Sequence, residues 1–315
     1  MDALIAGAGL SGCIAALMLR RAGADCVVVE RSAPDRTSIA ALHAHRFSPG
    51  DLDACAALAG VAASRLDLAG RGDLLDLLRR PLRDDGAILW SERIETITGA
   101  GARWSLTTRS GKSWRIGRLI DASGSSFALS EKLAAQFNDK LDVSQIRDGW
   151  TYRSWRLARP ARPGWSAKLS TGLAFAAPDR GAMIVTLAEP GDKEAAAEDA
   201  AARAGHALGL DAASLDGDGD VYRGGALART VVNGPVLRIG DSLLRTPPRY
   251  GDGLSHALET ARLACADTPD LAAAAALDAY ASQVWSGAIL AMALEQGSAE
   301  RGDASSPPIG QAKSR

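Results

Sequence analysis

The first residues that could do chemistry form a glycine-rich turn near the N-terminus, Gly7-Ala8-Gly9-Leu10-Ser11-Gly12. An apolar strand over 3–6 precedes the turn and a helix follows it, which is the context in which GxGxxG binds a dinucleotide. The first glycine permits the tight turn, the second lets the backbone approach a pyrophosphate, and the third lets helix and strand pack closely. The helix N-terminus offers free N–H groups to the phosphates. The turn predicts a dinucleotide site, with an ordinary glycine-rich turn as the alternative.

An acidic residue, Glu30, directly follows the second predicted strand, Cys26–Val29. A carboxylate at this place accepts hydrogen bonds from both ribose hydroxyls of an adenosine, and it disfavours the 2′-phosphate of NADP. We include the adjoining Arg31 among the predicted cofactor contacts. The glycine turn and Glu30 together do not separate FAD from NAD.

A second phosphate-type loop lies far downstream in the chain. The pair Gly240-Asp241 follows a predicted strand, Val236–Ile239, and the turn Pro248-Arg-Tyr-Gly251-Asp-Gly253 opens a helix that continues with Leu254. A carboxylate at a strand end can reach a ribitol hydroxyl, and the helix N-terminus suits an electron-rich ring edge. A Gly-Asp pair alone is a routine turn, but its order and distance relative to the first loop favour FAD over NAD.

Both loops resemble those of the FAD-dependent monooxygenases and reductases typified by para-hydroxybenzoate hydroxylase and geranylgeranyl reductase. The resemblance covers most of 1–130 and about 225–285. It implies FAD as the cofactor, with Asp241 at the ribitol and diphosphate and the turn Pro248–Gly253 at the flavin pyrimidine edge. Backbone N–H groups of Gly251–Gly253 would stabilise negative charge there. Because the flavin performs the redox chemistry, catalytic side chains stay unassigned, with His45, Pro248 and Gly251 as candidates.

Two shorter segments show weaker resemblance to the family. Arg71 occupies the place of an arginine that opens a helix and contacts the FAD diphosphate, a task that suits a guanidinium; the alternative is a solvated arginine. His43-Ala-His45-Arg46 resembles a His-x-His segment in the loop over the flavin. A metal site is the competing idea, but two histidines without a nearby cysteine or aspartate are weak ligands, so we predict no metal.

The stretch Asp121-Ala-Ser-Gly124 departs from the family pattern. Members that bind NADPH themselves carry Gly-Ala-Asp-Gly-x-x-Ser-x-x-Arg here, whereas this chain has Ser123 for the aspartate and lacks the arginine. This form resembles flavin-dependent halogenases and related two-component or reductase-like members, so the electron donor is either a separate flavin reductase or NAD(P)H. The segment Gly149–Trp155 lacks the halogenase spacing Trp-x-Trp-x-Ile-Pro, which favours hydroxylation over halogenation.

Composition argues against several other classes of function. The 315 residues carry 36 basic and 37 acidic side chains, a net charge of -1, so no single-sign field attracts nucleic acid or an anionic membrane. The four cysteines are scattered and form no CxxC pair. Residues 1–6 lack the pattern of a signal peptide and no apolar run is long enough to span a membrane, so we expect a cytoplasmic protein.

The strand and helix patterns predict an α/β fold with two domains. A Rossmann-like FAD-binding domain, 1–137 and 226–296, would hold the βαβ unit in a three-layer ββα sandwich with an antiparallel meander. A smaller α+β substrate domain, 138–225, would hold an antiparallel sheet, and 297–315 would be a disordered tail. Predicted helices are Pro49–Leu58, Leu74–Leu82, Glu194–Leu208 and Gly253–Ala266, and predicted substrate-domain strands are Trp150–Leu157, Leu169–Ala176 and Met183–Leu187.

These features predict an FAD-dependent oxidoreductase. The favoured reaction is hydroxylation through a flavin C4a-(hydro)peroxide, with a small-molecule substrate that is aromatic or protein-bound. The aromatic residues Trp150, Tyr152, Trp155 and Trp165 form either a substrate wall or the core of their domain. The alternatives are a flavin-dependent dehydrogenase or ene-reductase, a halogenase-like two-component enzyme, and a flavoprotein maturation partner that acts on another protein.

Overall fold

Strands and helices alternate at the start of the chain, and strands dominate its middle. The computed structural model describes residues 1–33, 47–62, 70–100, 103–126, 128–136, 141–157, 165–169, 172–179, 182–191, 197–215, 217–223, 226–231 and 236–300. The strands are β1 (Ala3–Ala6), β2 (Cys26–Val29), β3 (Ile88–Leu89), β4 (Ile94–Ala100), β5 (Arg103–Thr108), β6 (Ser113–Ile116), β7 (Arg118–Asp121), β8 (Asp142–Arg147), β9 (Trp150–Leu157), β10 (Trp165–Lys168), β11 (Leu173–Asp179), β12 (Ala182–Pro190), β13 (Asp220–Arg223), β14 (Ala226–Val231), β15 (Leu237–Arg238) and β16 (Leu244–Arg245). The helices are α1 (Leu10–Arg21), α2 (Pro49–Ala59), α3 (Arg71–Asp84), α4 (Ala128–Gln136), α5 (Ala197–Leu208), α6 (Gly253–Ala264) and α7 (Asp270–Glu300).

A parallel sheet in the order β15-β7-β1-β2-β3 forms the first core. β1 and β2 are buried along their whole length, which explains their continuous apolar sequences. Ala6 is in register with Val29 and Asp121, so the carboxyl ends of three strands meet at one edge of the sheet. Ligands of parallel sheets bind at that edge.

Helices cover one face of this sheet and an antiparallel meander covers the other. Residues of α1, α3, α6 and α7 share one apolar cluster with the sheet. The meander β4-β5-β6 packs on the opposite face together with α4, and its Trp104 is fully buried. The predicted α/β class, with a Rossmann-like unit in three layers and a meander, is confirmed.

An antiparallel sheet in the order β10-β11-β12-β9-β13 forms the second core, as predicted for the smaller unit. α5 covers one of its faces, against which Trp155 packs. Tyr152 and Phe175 belong to a separate cluster on the other face, which we call the aromatic face. A third, small sheet has the order β16-β14-β8, and the predicted domain limits fall just before β8 and at the start of β14.

The prediction of one strand over Leu169–Ala176 is wrong at Leu169 and Gly172, which lie outside both strands, while 170–171 lie outside the described residues. β10 ends at Lys168 and β11 begins at Leu173, and between them the Leu169 N–H donates to the Gly172 carbonyl at 2.9 Å. An added Cβ on Gly172 would press on the Ala188 carbonyl of β12. Packing of Gly172 against this neighbouring strand therefore limits which residue can precede β11, and the local pattern does not show it.

The helix α7 has no counterpart among the elements predicted from the sequence. It buries Ala273, Leu277 and Ala281, which recur four residues apart and so lie on one helical face. The predicted tail, 297–315, starts inside this helix, and 301–315 lies outside the described residues. No helix in the described part of the chain is both long enough and apolar enough to cross a membrane.

The cysteines are free thiols packed inside the fold. Burial raises the pKa of Cys13 and Cys55 to about 12 and that of Cys26 to about 11. Because the thiolate is the reactive species, we expect these three thiols to resist iodoacetamide in the native protein at mildly alkaline pH and to react after unfolding. Mass spectrometry of the alkylated protein measures this, and rapid modification of native Cys13 contradicts it.

Candidate cofactor and substrate site

The glycines of the first loop have different structural tasks. Gly7 has a φ of +110°, and an added Cβ would overlap the Ala122 carbonyl, so only glycine fits. An added Cβ on Gly12 would overlap the carbonyl oxygen of Gly7, so this glycine lets α1 pack against the turn. On Gly9 it would meet no described atom within 4 Å. The backbone of Gly9, at the N-terminus of α1, is therefore open to a ligand.

The two predicted loops are in direct contact. Gly240 has a φ of +57°, and an added Cβ would overlap the Ser11 hydroxyl of the first loop. The Gly240 N–H donates to Thr260 Oγ1 of α6 at 3.1 Å, which ties the second loop to its helix. Asp241 is exposed beside this contact. Two loops that are distant in sequence thus form one continuous surface.

Glu30 and Arg79 together fix the backbone of Ala8. Glu30 accepts the N–H of Ala8 and that of Ser32, each at 2.7 Å, and its remaining lone pairs keep the predicted ribose contact available. Arg79 Nε donates to the Ala8 carbonyl at 2.9 Å, and its guanidinium lies 4.9 Å from the Trp90 ring centroid. Nothing in the sequence singles out Arg79 among the charged residues of α3.

Arg71 opens α3, as predicted, and its positive charge is within electrostatic range of Asp241. Burial is the largest cause of a lowered pKa of its guanidinium. The charges of Asp241 and Asp179 raise that pKa, and the charge of Arg79 lowers it. Arginine nevertheless stays protonated in proteins. The arrangement suits the predicted contact with a diphosphate, which is a bidentate acceptor.

The N-terminus of α3 is capped from the antiparallel sheet. Asp179 Oδ1, at the end of β11, accepts the N–H of Gly72 at 2.7 Å and the N–H of Asp73 at 3.2 Å. Asp179 is buried, so this charge stays close to the helix terminus. The sheet with the aromatic face therefore fixes the helix that presents Arg71. Sequence reasoning missed Asp179, because a cap that comes from a strand of another sheet leaves no local signal.

The stretch Asp121-Ala-Ser-Gly124, which departs from the NADPH-docking pattern, has its polar side chains hydrogen-bonded within the protein. Asp121 is fully buried at the end of β7 and accepts both the N–H of Ser123 at 2.9 Å and its hydroxyl at 2.7 Å. The other carboxylate oxygen accepts the Ser130 hydroxyl at 2.6 Å. The Ser242 hydroxyl, next to the second loop, donates to the Asp121 carbonyl at 2.5 Å. These bonds close the turn after β7 and link it to the second loop.

The turn before α6 uses part of the backbone that we predicted to face the flavin. The Gly251 N–H donates to the Pro248 carbonyl at 3.1 Å, so this N–H serves the turn itself. Asp252 Oδ2 lies 3.0 Å from His256 Nε2, and its Oδ1 accepts the Thr246 hydroxyl at 2.6 Å. Burial raises the pKa of the Asp252 carboxyl, but these two partners outweigh it and the net pKa is lowered. The remaining N–H groups at the N-terminus of α6 stay available.

Arg249 anchors the same turn to two other elements. Its guanidinium lies 3.4 Å from Asp148, before β9, and 2.6 Å from Glu295 on α7. It also stacks on the rings of Trp150 and Tyr250, with centroid distances of 4.9 and 4.5 Å. The side chain is almost completely buried. Arg249 is therefore a packing and charge anchor for the second loop.

The predicted aromatic wall is divided between the two faces of its sheet. Tyr152 lies on the aromatic face, where its hydroxyl donates to Asp148 at 2.7 Å and its ring centroid is 6.0 Å from that of Tyr222. Burial, with the charge of Asp148, raises the pKa of Tyr152 far above its ordinary value, so it stays a neutral phenol. Trp155 packs under α5 as core, and the side chain of Trp165 lies outside the described residues.

The other predicted site residues vary in their exposure. Leu10 and Leu254 are buried in the first core, so only their backbone groups could contact a cofactor. Arg31 is exposed, and Pro248 is partly buried at the turn. His45 lies outside the described residues. Within the described ranges, no group of three histidine, cysteine, aspartate or glutamate side chains could hold a metal ion.

The residues of this edge fit a dinucleotide flavin. The open backbone at Gly9 and the N-terminus of α1 suit phosphates, with Arg71 as the counter-charge. Glu30 lies at the ribose position of such folds, and the exposed Asp241 carboxylate is an acceptor for hydroxyl groups. All four features line the carboxyl edge of the parallel sheet or the helix beside it.

Comparison with known proteins agrees with this site. Residues 1–65 match the family model of the FAD binding domain. The structure of Klebsiella pneumoniae HpxO with FAD and uric acid has a TM-score of 0.66 at 17% identity, covering 93% of this chain and 87% of that one. Flavin-dependent brominase Bmp2 has 0.65 at 16%, covering 89% and 83%, and tetracycline destructase Tet(55) has 0.63 at 18%, covering 88% and 84%. No curated protein sequence has a significant match.

The family-model match over residues 1–65 and the geometry of the site identify FAD as the cofactor. The chain shares its fold with these three proteins along most of its length.

Proposed function

We propose that the protein is an FAD-dependent monooxygenase that hydroxylates a small organic substrate. The observation that carries the proposal is that β11, which contributes Phe175 to the aromatic face, ends at Asp179, and Asp179 caps the helix that begins with Arg71. Tyr222 of that face is within electrostatic range of Asp241, because the charge of Asp241 contributes to the raised pKa of Tyr222. A substrate resting against this face would thus be near the cofactor loops.

Bound FAD would supply the redox chemistry and the reaction with oxygen. The chain's own residues would bind and orient it: Arg71 and the N-terminus of α1 at the diphosphate, Glu30 at the ribose, and Asp241 at the ribitol. The partly buried rings of Trp150 and Tyr222, which pack against the aromatic face, would contact the substrate and exclude water. HpxO has been solved with FAD and uric acid, which supports a small-molecule ligand on this fold. We retain 1–137 with 226–296 as the FAD-binding domain and 138–225 as the substrate domain.

A flavin-dependent dehydrogenase or ene-reductase is the second candidate. The observation in its favour is that Asp121 and Ser123 form a closed turn in place of the NADPH-docking pattern. This turn also fits a monooxygenase that receives electrons from a separate flavin reductase. The two candidates differ in the fate of oxygen, since only a monooxygenase incorporates it into product.

The test starts with FAD titration, for which we expect a tight complex with a yellow flavin spectrum. The reduced complex is then mixed with ¹⁸O₂ in the presence of a panel of phenols, benzoates and purines. A monooxygenase yields a product that carries the label, detected by mass spectrometry. Reoxidation without labelled product, coupled to reduction of an alkene acceptor, would instead establish the reductase. A protein that binds no FAD would refute both.

A further inference from the structure

The helix α7 has a solvent-exposed face without a charged side chain. Within Leu271–Leu294 the only charged residue is Asp278, which lies 3.3 Å from Arg238 of β15. Asp270, at the start of the helix, lies 2.7 Å from Arg118 of β7. A surface helix normally places its charged residues in water. In α7 these carboxylates point toward the protein instead, so the outer face keeps only apolar and uncharged polar side chains.

One stripe of this face is exposed along its whole length. Because about 3.6 residues make one turn, the residues 4, 7 and 11 positions before and after Gln283 lie on the same side of the helix as Gln283 itself. All of them are exposed, and we call this set the outer stripe. At its C-terminal end, Leu290 and Leu294 are each 61% exposed. Large apolar side chains exposed together mark an interaction surface.

Gly287 belongs to the outer stripe and has no described contact that requires a glycine. Its backbone is helical, and an added Cβ would meet no described atom within 4 Å. Glycine inside a helix is less stable than alanine, so a glycine at such a place calls for a close approach by another group. No described part of the chain makes that approach, which leaves a partner molecule as its cause.

The side-chain sizes of the outer stripe are complementary to a second copy of the same stripe that runs in the opposite direction. A two-fold axis through Gln283 makes each residue face the one at the same distance on the other side of Gln283. The facing pairs are Leu290 with Ala276, Leu294 with Ala272, and Gly287 with Ala279. Leucines thus meet alanines, and the small pair nearest the axis lets the helices approach closely. Two-fold dimers have interfaces of this reciprocal form.

We propose that the outer stripe is a dimer interface, in which the α7 helices of two copies of this chain pack antiparallel about an axis at Gln283. Two identical uncharged faces meet without repulsion. A lipid surface fits less well, because helices that bind membranes are rich in lysine and arginine and Asp270–Glu300 has neither. One helix pair in contact along about 33 Å is a small interface, so we expect a dimer that dissociates on dilution.

The first test is sedimentation velocity of the full chain with FAD over a concentration series, in which the wild-type protein should pass from monomer to dimer. Leu290→Glu should stay monomeric, because it places a carboxylate against the partner's Ala276. Leu271→Glu is the matched control: it adds the same charge at a leucine that is 69% exposed and lies outside the outer stripe. A wild-type protein that stays monomeric, or a Leu290→Glu variant that dimerises normally, overturns the proposal.

Gly287→Ala distinguishes the interface from the fold, because its two effects have opposite signs. The added methyl groups would hold the helices apart and raise the Kd of the dimer about tenfold or more. The urea midpoint of the monomer should be unchanged or higher, since alanine is the better helix former. Wild-type dimerisation of this variant would mean that no helix approaches Gly287, which contradicts the proposal.

Cysteine cross-linking tests the register. Gln283→Cys should form a covalent dimer on mild oxidation, because the axis brings its two thiols together, and the wild-type protein shows the background from the native cysteines. Ala276→Cys is the matched control, since in the antiparallel pair its two copies are about 21 Å apart along the helices. Cross-linking through Ala276→Cys, or none through Gln283→Cys, rules out this arrangement. A monomeric wild-type protein that floats with phosphatidylcholine vesicles would assign the face to lipid instead.

Discussion

Gly9→Ala is expected to weaken FAD binding about 10- to 100-fold, or roughly 1.4–2.7 kcal/mol, while the apoprotein keeps its stability. The backbone of Gly9 has φ -73° and ψ -175°, which alanine adopts without strain. The added Cβ meets no described atom within 4 Å, so the free energy of unfolding should change by less than about 0.5 kcal/mol. The methyl group would instead occupy the side from which a pyrophosphate approaches. Flavin titration and urea unfolding measure the two effects.

Gly12→Ala is the matched comparison within the same loop. Its added Cβ would overlap the carbonyl oxygen of Gly7, so α1 would have to move away from the turn. We expect this variant to lose about 1–3 kcal/mol of stability as well as FAD affinity. If Gly9→Ala binds FAD like the wild-type protein, the phosphates do not lie against this backbone and the site is placed wrongly.

Asp179→Ala is expected to lower the free energy of unfolding by about 1.5–3 kcal/mol and to weaken FAD binding. The reason for the first effect is that Asp179 is buried and accepts the N–H groups of Gly72 and Asp73 at the start of α3. The second effect follows because this helix presents Arg71, whose charge Asp179 also stabilises. Urea unfolding and flavin titration of the same protein measure both losses.

Asp211→Ala provides the control for a capping aspartate. Asp211 accepts the Ala213 N–H at 3.1 Å on an exposed short helix, so its loss should cost no more than about 1 kcal/mol and leave FAD binding unchanged. Asp179→Asn should fall between wild type and Asp179→Ala, because the amide keeps an acceptor oxygen and loses the charge. Wild-type stability and FAD affinity in Asp179→Ala would show that the cap between the sheets has no energetic role.

Several parts of the fold could be predicted because their signals are local. The strands Ala3–Ala6, Cys26–Val29 and Trp150–Leu157 have the predicted bounds. A continuous run of apolar residues indicates a strand that is buried on both faces, and alternation of apolar and polar residues indicates a strand that is buried on one face. The start of α6 at Gly253 was also predictable, because glycine turns and helix N-termini have their own residue requirements.

Other parts could not be predicted, because their cause lies elsewhere in the chain. The turn at Gly172 depends on packing against the Ala188 carbonyl of β12. The helix α7 has a small, alanine-rich buried face, which looks like compositional bias until Leu277 and its neighbours are seen to complete the first core. The Gly251 N–H donates a hydrogen bond within its own turn. The motif alone suggests that all backbone N–H groups of this turn are free, so the sequence does not reveal the bond.

The sequence by itself determined that the chain has two phosphate-type loops with an acid, Glu30, at a ribose position, because glycine and carboxylate requirements are local. Only the tertiary structure decided that Ser11 touches Gly240 and that Asp179 caps the helix of Arg71. Each of these facts depends on which distant segments meet and on what is buried between them. Spacing along the chain does not encode either property.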